Sequence, residues 1–375
     1  MSITQPTNPF VQRLGRVRSA MNIHGIDTLI VTPGAAMRYL CGFTEPGFER
    51  LLALIVPNDD DWLFVTPSLN AGQVRENPAG ITDVRVWDDG SGWDKLVHDI
   101  CVELTLDIGI IGVDDDMPAR FALALRDILP TTLFKLAGPV LADLRATKDT
   151  LELAAMQHAA DASDALIPRA TAACVVGATE LDVSFAIKKG LSETGADQSF
   201  EPIVGAGANG ASPHHHTGKT RIKRGDVIVL DFGAKVDGYC GDITRMAAVG
   251  EASDEAKRVY KIVLNAYQAA LAAVKPGVTA HEVDAAARKV IEDAGYGEFF
   301  IHRTGHGIGL DDHETPYIVA GNYTRLQPGH CFSIEPGIYL PGKFGVRLEN
   351  IVTVTEVGLG RAFNEDIPDE LPIVG

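Results

Sequence analysis

Arg224-Gly225-Asp226-Val227-Ile228-Val229-Leu230-Asp231-Phe232-Gly233 and Pro328-Gly329-His330-Cys331-Phe332-Ser333-Ile334-Glu335-Pro336-Gly337 are two renderings of one pattern. Each reads as a turn followed by an apolar strand that ends on a carboxylate. A second pair recurs in the same order: Gly177-Ala178-Thr179-Glu180-Leu181-Asp182-Val183 and Gly277-Val278-Thr279-Ala280-His281-Glu282-Val283, each leading into a helical pattern. The offsets are 104 and 100 positions. Two ordered matches at nearly one spacing predict a domain of two related halves, each a helix followed by a strand with an acid at its tip. Helices on one side of a curved antiparallel sheet suit this arrangement, an α+β fold whose strand-end acids meet near a pseudo-twofold axis.

Each strand predicts a hairpin partner that carries another acid. Asp242 follows Asp231 after the turn-prone Asp237-Gly238, and Glu349 follows Glu335 after Pro341-Gly342. Four carboxylates therefore converge. Ionised acids beside apolar strands are costly unless they are paired or bound to metal, and the neighbouring cations, mainly Arg245 and Arg347, are too few to neutralise four. His302-Arg303-Thr304-Gly305-His306-Gly307-Ile308-Gly309-Leu310-Asp311-Asp312-His313-Glu314 lies between the halves, with glycines that allow close backbone approach around His306. Oxygen donors plus one imidazole favour a pair of Mn²⁺-like ions over a structural zinc. Two such ions would activate a water for attack on a carbonyl.

The preceding 143 residues read as an α/β domain, with the boundary near residue 144 and the second domain running over 144–375. Strands are expected at Ile26–Val31, Leu51–Val56 and Trp62–Val65, and helices at Phe10–His24 and Met117–Leu129; an alanine-rich helix is expected over Leu151–Ala173. No cluster of His, Asp and Glu in the first domain connects to chemistry.

Composition narrows the partners. With 33 basic against 50 acidic side chains the formal charge is −17, a field that repels phosphate backbones and anionic membranes. No apolar run approaches the roughly 20 residues that span a bilayer. The start, Met1-Ser2-Ile3-Thr4-Gln5-Pro6, lacks a secretion pattern, so a cytoplasmic location is expected. The cysteines at 41, 101, 174, 240 and 331 form no Cys-x-x-Cys pair and read as reduced, packed thiols.

At these residues the sequence resembles the creatinase/prolidase/aminopeptidase P group of metallopeptidases, whose pita-bread fold carries two metal ions. The motifs are Asp231-Phe232-Gly233, Gly238-Tyr239, Asp242-Ile243-Thr244-Arg245, Gly305-His306-Gly307-Ile308-Gly309, Glu335-Pro336-Gly337 and Val346-Arg347-Leu348-Glu349. The resemblance covers most of residues 145–375. It implies Asp231, Asp242, His306, Glu335 and Glu349 as ligands of two divalent ions, Mn²⁺ ahead of Co²⁺ or Zn²⁺, with Asp242 and Glu349 bridging. It further implies that Glu335 manages a proton, that His214 contacts substrate, and that His302 and His313 bind substrate and stabilise the tetrahedral intermediate. His215 and His216 take no role and read as exposed neighbours. A homodimer that cleaves the bond before proline follows from the same resemblance.

Two departures matter. Asn350 stands where many members have a second acid, and Tyr317 follows His313-Glu314-Thr315-Pro316 where prolidases carry an arginine for the dipeptide's terminal carboxylate. The missing cation tilts the expectation to an Xaa-Pro aminopeptidase acting on tripeptides and longer, with an Xaa-Pro dipeptidase as the alternative and a C–N hydrolase of creatine-like or cyclic amidine substrates behind it. A binding protein that has lost its metal is disfavoured by the intact ligand positions. Gly205-Ala206-Gly207-Ala208-Asn209-Gly210 fits a dinucleotide fingerprint, but Pro213 and three histidines follow where a helix should open. A loop beside the metal site explains these glycines better.

Overall fold

The computed structural model describes residues 8–46 and 49–375, which form two units, one ending at Arg145 and the other starting at Ala146. The Met1–Pro6 start lies outside the described residues. In the first unit six strands form one mixed sheet in the order Asp83–Trp87, Leu63–Pro67, Ala53–Pro57, Thr28–Val31, Ile110–Val113, Leu133–Leu136. The apolar runs seen in the sequence are its central strands, buried along their whole length. The helix Pro9–His24 starts on an Asn8 cap with proline in its first turn and stops at left-handed Gly25. A second helix spans Ala119–Ile128.

In the second unit the duplication is visible in individual hydrogen bonds. Thr179 caps the helix Glu180–Thr194 in a capping box with Asp182, and Thr279 caps Ala280–Asp293 in a capping box with Glu282. Arg221 Nη1 donates to the Gly177 carbonyl at 2.7 Å, and Arg325 Nη1 to the Gly277 carbonyl at 2.9 Å. Each helix packs on the sheet of its own half. Val183 and Ile187 meet Leu230, Phe232 and Ala247, while Val283 and Ile291 share a core with Phe332 and Val352.

Strand Val227–Phe232 pairs antiparallel with Ile243–Val249, placing Asp231 opposite Thr244; Cys331–Ile334 pairs with Asn350–Thr353, placing Ile334 opposite Asn350. The first turn lies at Asp237 and Gly238, both at positive φ (50° and 80°), the geometry of a two-residue hairpin turn. In the second half Gly337–Leu340 and Phe344–Arg347 form a separate hairpin around Pro341-Gly342. The two halves meet where Glu349 N donates to the Thr244 carbonyl at 3.2 Å.

The expected helix over Leu151–Ala173 is two helices, Thr150–Asp164 and Ile167–Ala173. Pro168 lacks the N–H a continuous helix needs and opens the second one instead. Gly205–Gly210 spans the end of strand Ile203–Ala206 and a 3₁₀ turn at Gly207–Ala211, not a helix start facing phosphate. Its glycines serve contact: a Cβ on Gly345 would lie 1.9 Å from the Gly210 carbonyl oxygen, so the loop presses on the strand that carries Arg347. No helix among the described residues is long and apolar enough to cross a membrane, and all five cysteines are free and buried.

Candidate metal centre

The two hairpins and the strand Gly305–Gly307 bring Asp231, Asp242, His306, Glu335 and Glu349 to one cavity of about 810 Å³, which His214, His302 and His313 also line. Strand Gly305–Gly307 threads between two neighbours. A Cβ at 305 would lie 1.9 Å from the Ser333 carbonyl oxygen and one at 307 2.3 Å from that of Thr315, so glycine on both sides of His306 is a steric requirement. Asp242, His306 and Glu349 place ligand atoms within 4.8 Å of one another.

The bonding of His306 bears on whether this cluster fits a cation. Its Nδ1 lies 3.0 Å from the Gly307 carbonyl, an acceptor only, so Nδ1 carries the hydrogen and Nε2 presents a lone pair. That lone pair faces Glu335 Oε1 at 3.3 Å and Asp242 Oδ2 at 3.7 Å. Three acceptors aimed at one another repel unless a cation or a carboxyl proton lies among them. Burial, with His313 as the next cause, lowers the His306 pKa to about 3, so the ring does not supply that charge. Asp231 Oδ1, Asp242 Oδ1 and Glu349 Oε1 are buried without a hydrogen-bond partner. Such orphaned carboxylate oxygens fit divalent cations, and an imidazole whose far N–H is held by a backbone carbonyl is the usual arrangement of a metal-ligating histidine.

Electrostatics point the same way. Burial is the largest cause raising all four acids: Asp231 is raised although Arg347 opposes it, Asp242 and Glu349 are well above the carboxylate range, and Glu335 reaches about 7. Of the two cations noted in the sequence Arg347 makes the ion pair with a cluster carboxylate, with Nη2 on Asp231 Oδ2. Arg245 instead faces Asp164 at 3.6 Å and the Asn350 side chain at 2.8 Å. Hydroxyls orient the rest. Thr244 Oγ1 donates to Glu349 Oε2 at 2.7 Å, and Ser333 Oγ donates to Glu335 Oε1 at 3.1 Å.

The three further histidines differ. His214 is exposed at the cavity. His313 Nδ1 accepts from Arg303 Nη2 at 3.3 Å, which leaves its Nε2–H as a donor without a partner among the described residues. His302 is engaged at both nitrogens, with Nδ1 2.7 Å from the Arg303 carbonyl and Nε2 2.9 Å from the Tyr339 hydroxyl. Because Arg347 Nη1 donates to the same hydroxyl oxygen at 2.9 Å, the Tyr339 hydrogen is free for His302. Burial, with Arg347 as the second cause, lowers His302 to about 3, so it stays neutral. His215 is not the exposed neighbour the sequence implies: its Nε2 lies 2.9 Å from buried Glu180.

Sequence reasoning also missed Arg303 and Tyr339. Arg303 lines the cavity with its guanidinium over the Tyr317 ring and makes no ion pair among the described residues. Its place beside His302 in a glycine-rich loop was the available signal; Tyr339 offered none.

The family description "Metallopeptidase family M24" matches residues 154–356, and "Creatinase/Prolidase N-terminal domain" matches residues 13–147. A Mycobacterium tuberculosis protein named "Probable dipeptidase PepE" is 40% identical over 368 residues, covering 97% of this chain and 96% of its own. The Xaa-Pro dipeptidase of Lactobacillus delbrueckii subsp. lactis is 33% identical, covering 92% of this chain and 95% of its own. Among solved structures, a prolidase from Thermococcus sibiricus superposes with a TM-score of 0.92 at 38% identity, over 97% of this chain and 99% of that one.

Proposed function

This chain belongs to metallopeptidase family M24 and carries its pita-bread fold, and from that membership we propose that it is an Xaa-Pro dipeptidase, hydrolysing the bond before proline in dipeptides. The observation that carries dipeptide over longer substrate is Arg303. An Xaa-Pro dipeptide ends in a carboxylate close to the scissile bond, and a half-buried guanidinium in the same cavity without an acid of its own is suited to hold it. The expectation of an aminopeptidase rested on Tyr317 standing where prolidases carry arginine. A cation from the neighbouring loop, stacked on that same Tyr317, removes the objection, and the names of the relatives support the dipeptidase.

Asp231, Asp242, His306, Glu335 and Glu349 would hold two divalent ions, Mn²⁺ ahead of Co²⁺ or Zn²⁺. Bound there, such ions act as Lewis acids and make water a nucleophile near neutral pH. The scissile nitrogen is proline's own ring nitrogen, which carries no hydrogen in the amide and must gain one to leave as a secondary amine. Glu335, steadied by Ser333, is placed to carry that proton. His313 offers its Nε2–H to the carbonyl oxygen as negative charge develops there. His302, with both nitrogens engaged, shapes the wall and holds Tyr339 and Arg347 in line, while His214 contacts the substrate from the facing loop. The proposal includes a homodimer in the cytoplasm.

The deciding experiment compares kcat/KM for Xaa-Pro and Xaa-Pro-Xaa peptides with Mn²⁺-loaded protein. The dipeptide should be the better substrate; faster cleavage of tripeptides would return the assignment to an aminopeptidase.

A further inference from the structure

Glu180 has no part in the chemistry above, yet its carboxylate meets four donors. Its side chain is fully buried (0% exposed) at the start of the helix Glu180–Thr194. Oε1 accepts from Ala206 N at 2.9 Å and Asn209 Nδ2 at 2.8 Å; Oε2 accepts from Gly218 N at 3.0 Å and lies 2.9 Å from His215 Nε2. Burial raises its pKa, but these donors together hold it below the ordinary carboxylate range. An ionised carboxylate only accepts, so His215 Nε2 carries the hydrogen in this contact.

The donors span the segment 206–218, which includes the cavity-lining run Pro213 to Thr217. One buried side chain therefore ties both ends of the segment 206–218 and one histidine of that run. The second half does the same with other residues. Buried Asp284 accepts from Thr304 N at 3.2 Å and Thr304 Oγ1 at 2.8 Å and pairs with Arg288, whose guanidinium reaches the carbonyls of Phe300 and His302 at 3.1 and 2.9 Å. In each half, a carboxylate on the helix that follows the duplicated cap holds the segment bearing cavity histidines.

We propose that Glu180 is a positioning residue for the peptidase: acting through His215, it fixes the Pro213–Thr217 wall of the cavity in the conformation that receives substrate. The kinetic arm of this inference rests on the dipeptidase assignment; a second arm does not.

In Mn²⁺-loaded full-length protein, Glu180→Gln should keep its metal content and raise KM for an Xaa-Pro dipeptide about tenfold, with kcat within about twofold, since two donors are left facing the new amide NH2. His215→Ala should do the same and add little on top of Glu180→Gln. His215→Gln, whose amide can still donate to Glu180, should keep a near-normal KM. A wild-type KM in Glu180→Gln, a loss confined to kcat or metal content, or effects of Glu180→Gln and His215→Ala that multiply would overturn the proposal. If Glu180→Gln fails to fold, the His215 pair decides alone, and equal KM values for Ala and Gln reject it. Amide hydrogen exchange forms the substrate-independent arm. Ala206 and Gly218 should lose protection in Glu180→Gln, or in His215→Ala should only that variant fold, while Thr304 does not; unchanged exchange at both rejects the proposal even if wild-type protein proves inactive on Xaa-Pro.

Discussion

The guanidinium carbon of Arg303 lies 4.3 Å from the centre of the Tyr317 ring, and its Nη2 lies 3.3 Å from His313 Nδ1. Stacking and that hydrogen bond orient a planar cation whose remaining N–H groups have no acid partner among the described residues and can meet a carboxylate. Arg303→Ala should lower kcat/KM for an Xaa-Pro dipeptide by about 10–100-fold, the range expected for a lost charge-assisted hydrogen bond, and leave the C-terminally amidated dipeptide nearly unchanged. Arg303→Lys should fall between, because an ammonium has no bidentate fork. Equal losses on free and amidated peptide would mean that Arg303 acts on His313 instead.

Metal dependence is the most direct consequence of the acid cluster. Asp242→Ala removes a carboxylate whose buried Oδ1 has no protein partner, so the variant should purify with reduced metal content and lose activity. A strong chelator should likewise abolish turnover in wild-type protein, and added Mn²⁺ or Co²⁺ should restore it. Metal analysis alongside rates checks both; an active, fully metallated Asp242→Ala would remove that residue from the ligand set.

Without metal, the same acids make stability depend on pH in a definite direction. Asp231, Asp242, Glu335 and Glu349 all have raised folded-state pKa values, so the folded chain binds protons more tightly than the unfolded one. That contribution is fully present below the unfolded values and disappears as pH rises through the folded ones, about 7 for Glu335. The melting temperature of chelated protein should therefore fall between about pH 5 and pH 8, and much less of this fall should remain once metal is bound. A flat or rising profile in the chelated protein would contradict the burial of these acids.

The legible features were those whose cause is local or repeated. Strand tips ending in Asp231 and Glu335, the turn at Asp237-Gly238 and the paired caps at Thr179 and Thr279 each carry their reason within a few residues. The acid cluster was legible because four acids beside apolar strands demand an explanation wherever they occur. Roles set by long-range partners stayed hidden. Tyr339 takes the second nitrogen of His302 from 37 residues away, and Glu180 takes His215 from 35. Arg303 adjoins His302 in the chain, yet its suitability for a substrate carboxylate shows only when strand Glu314–Ile318 brings Tyr317 beneath it.

Lys148 Nζ and Glu314 Oε2 form an ion pair at 3.2 Å, with side chains only 1% and 6% exposed. Glu314 also accepts from Asp311 N at 3.0 Å, so the pair fixes the turn that presents His313. Lys148→Met would leave the buried carboxylate without its cation and should cost about 3–5 kcal/mol. Lys148→Met combined with Glu314→Gln should recover part of that loss. Denaturant unfolding of the metal-loaded variants measures it, and a double variant no better than Lys148→Met would mean that the charge of Glu314 is not the cause.

Asn350, the departure from the resembled group noted in the sequence, uses both ends of its amide. Oδ1 accepts from Arg245 at 2.8 Å, and Nδ2 donates to the Tyr267 hydroxyl at 3.1 Å and the Glu365 carbonyl at 3.2 Å. The carboxylate that Arg245 faces comes instead from Asp164, at 3.6 Å. An acid at 350 would discard two donors and place a second negative charge on one guanidinium, so Asn350→Asp should destabilise the protein by about 1–3 kcal/mol. It should not reduce metal content, because Arg245 still holds the Glu349 carbonyl. Asp164→Asn should also destabilise, by removing that carboxylate. Combining the two returns one acid to Arg245, so the double variant should lose less than the sum of the singles, with a coupling of about 1 kcal/mol. Additive losses in denaturant unfolding would show that Asp164 and Asn350 do not share the arginine.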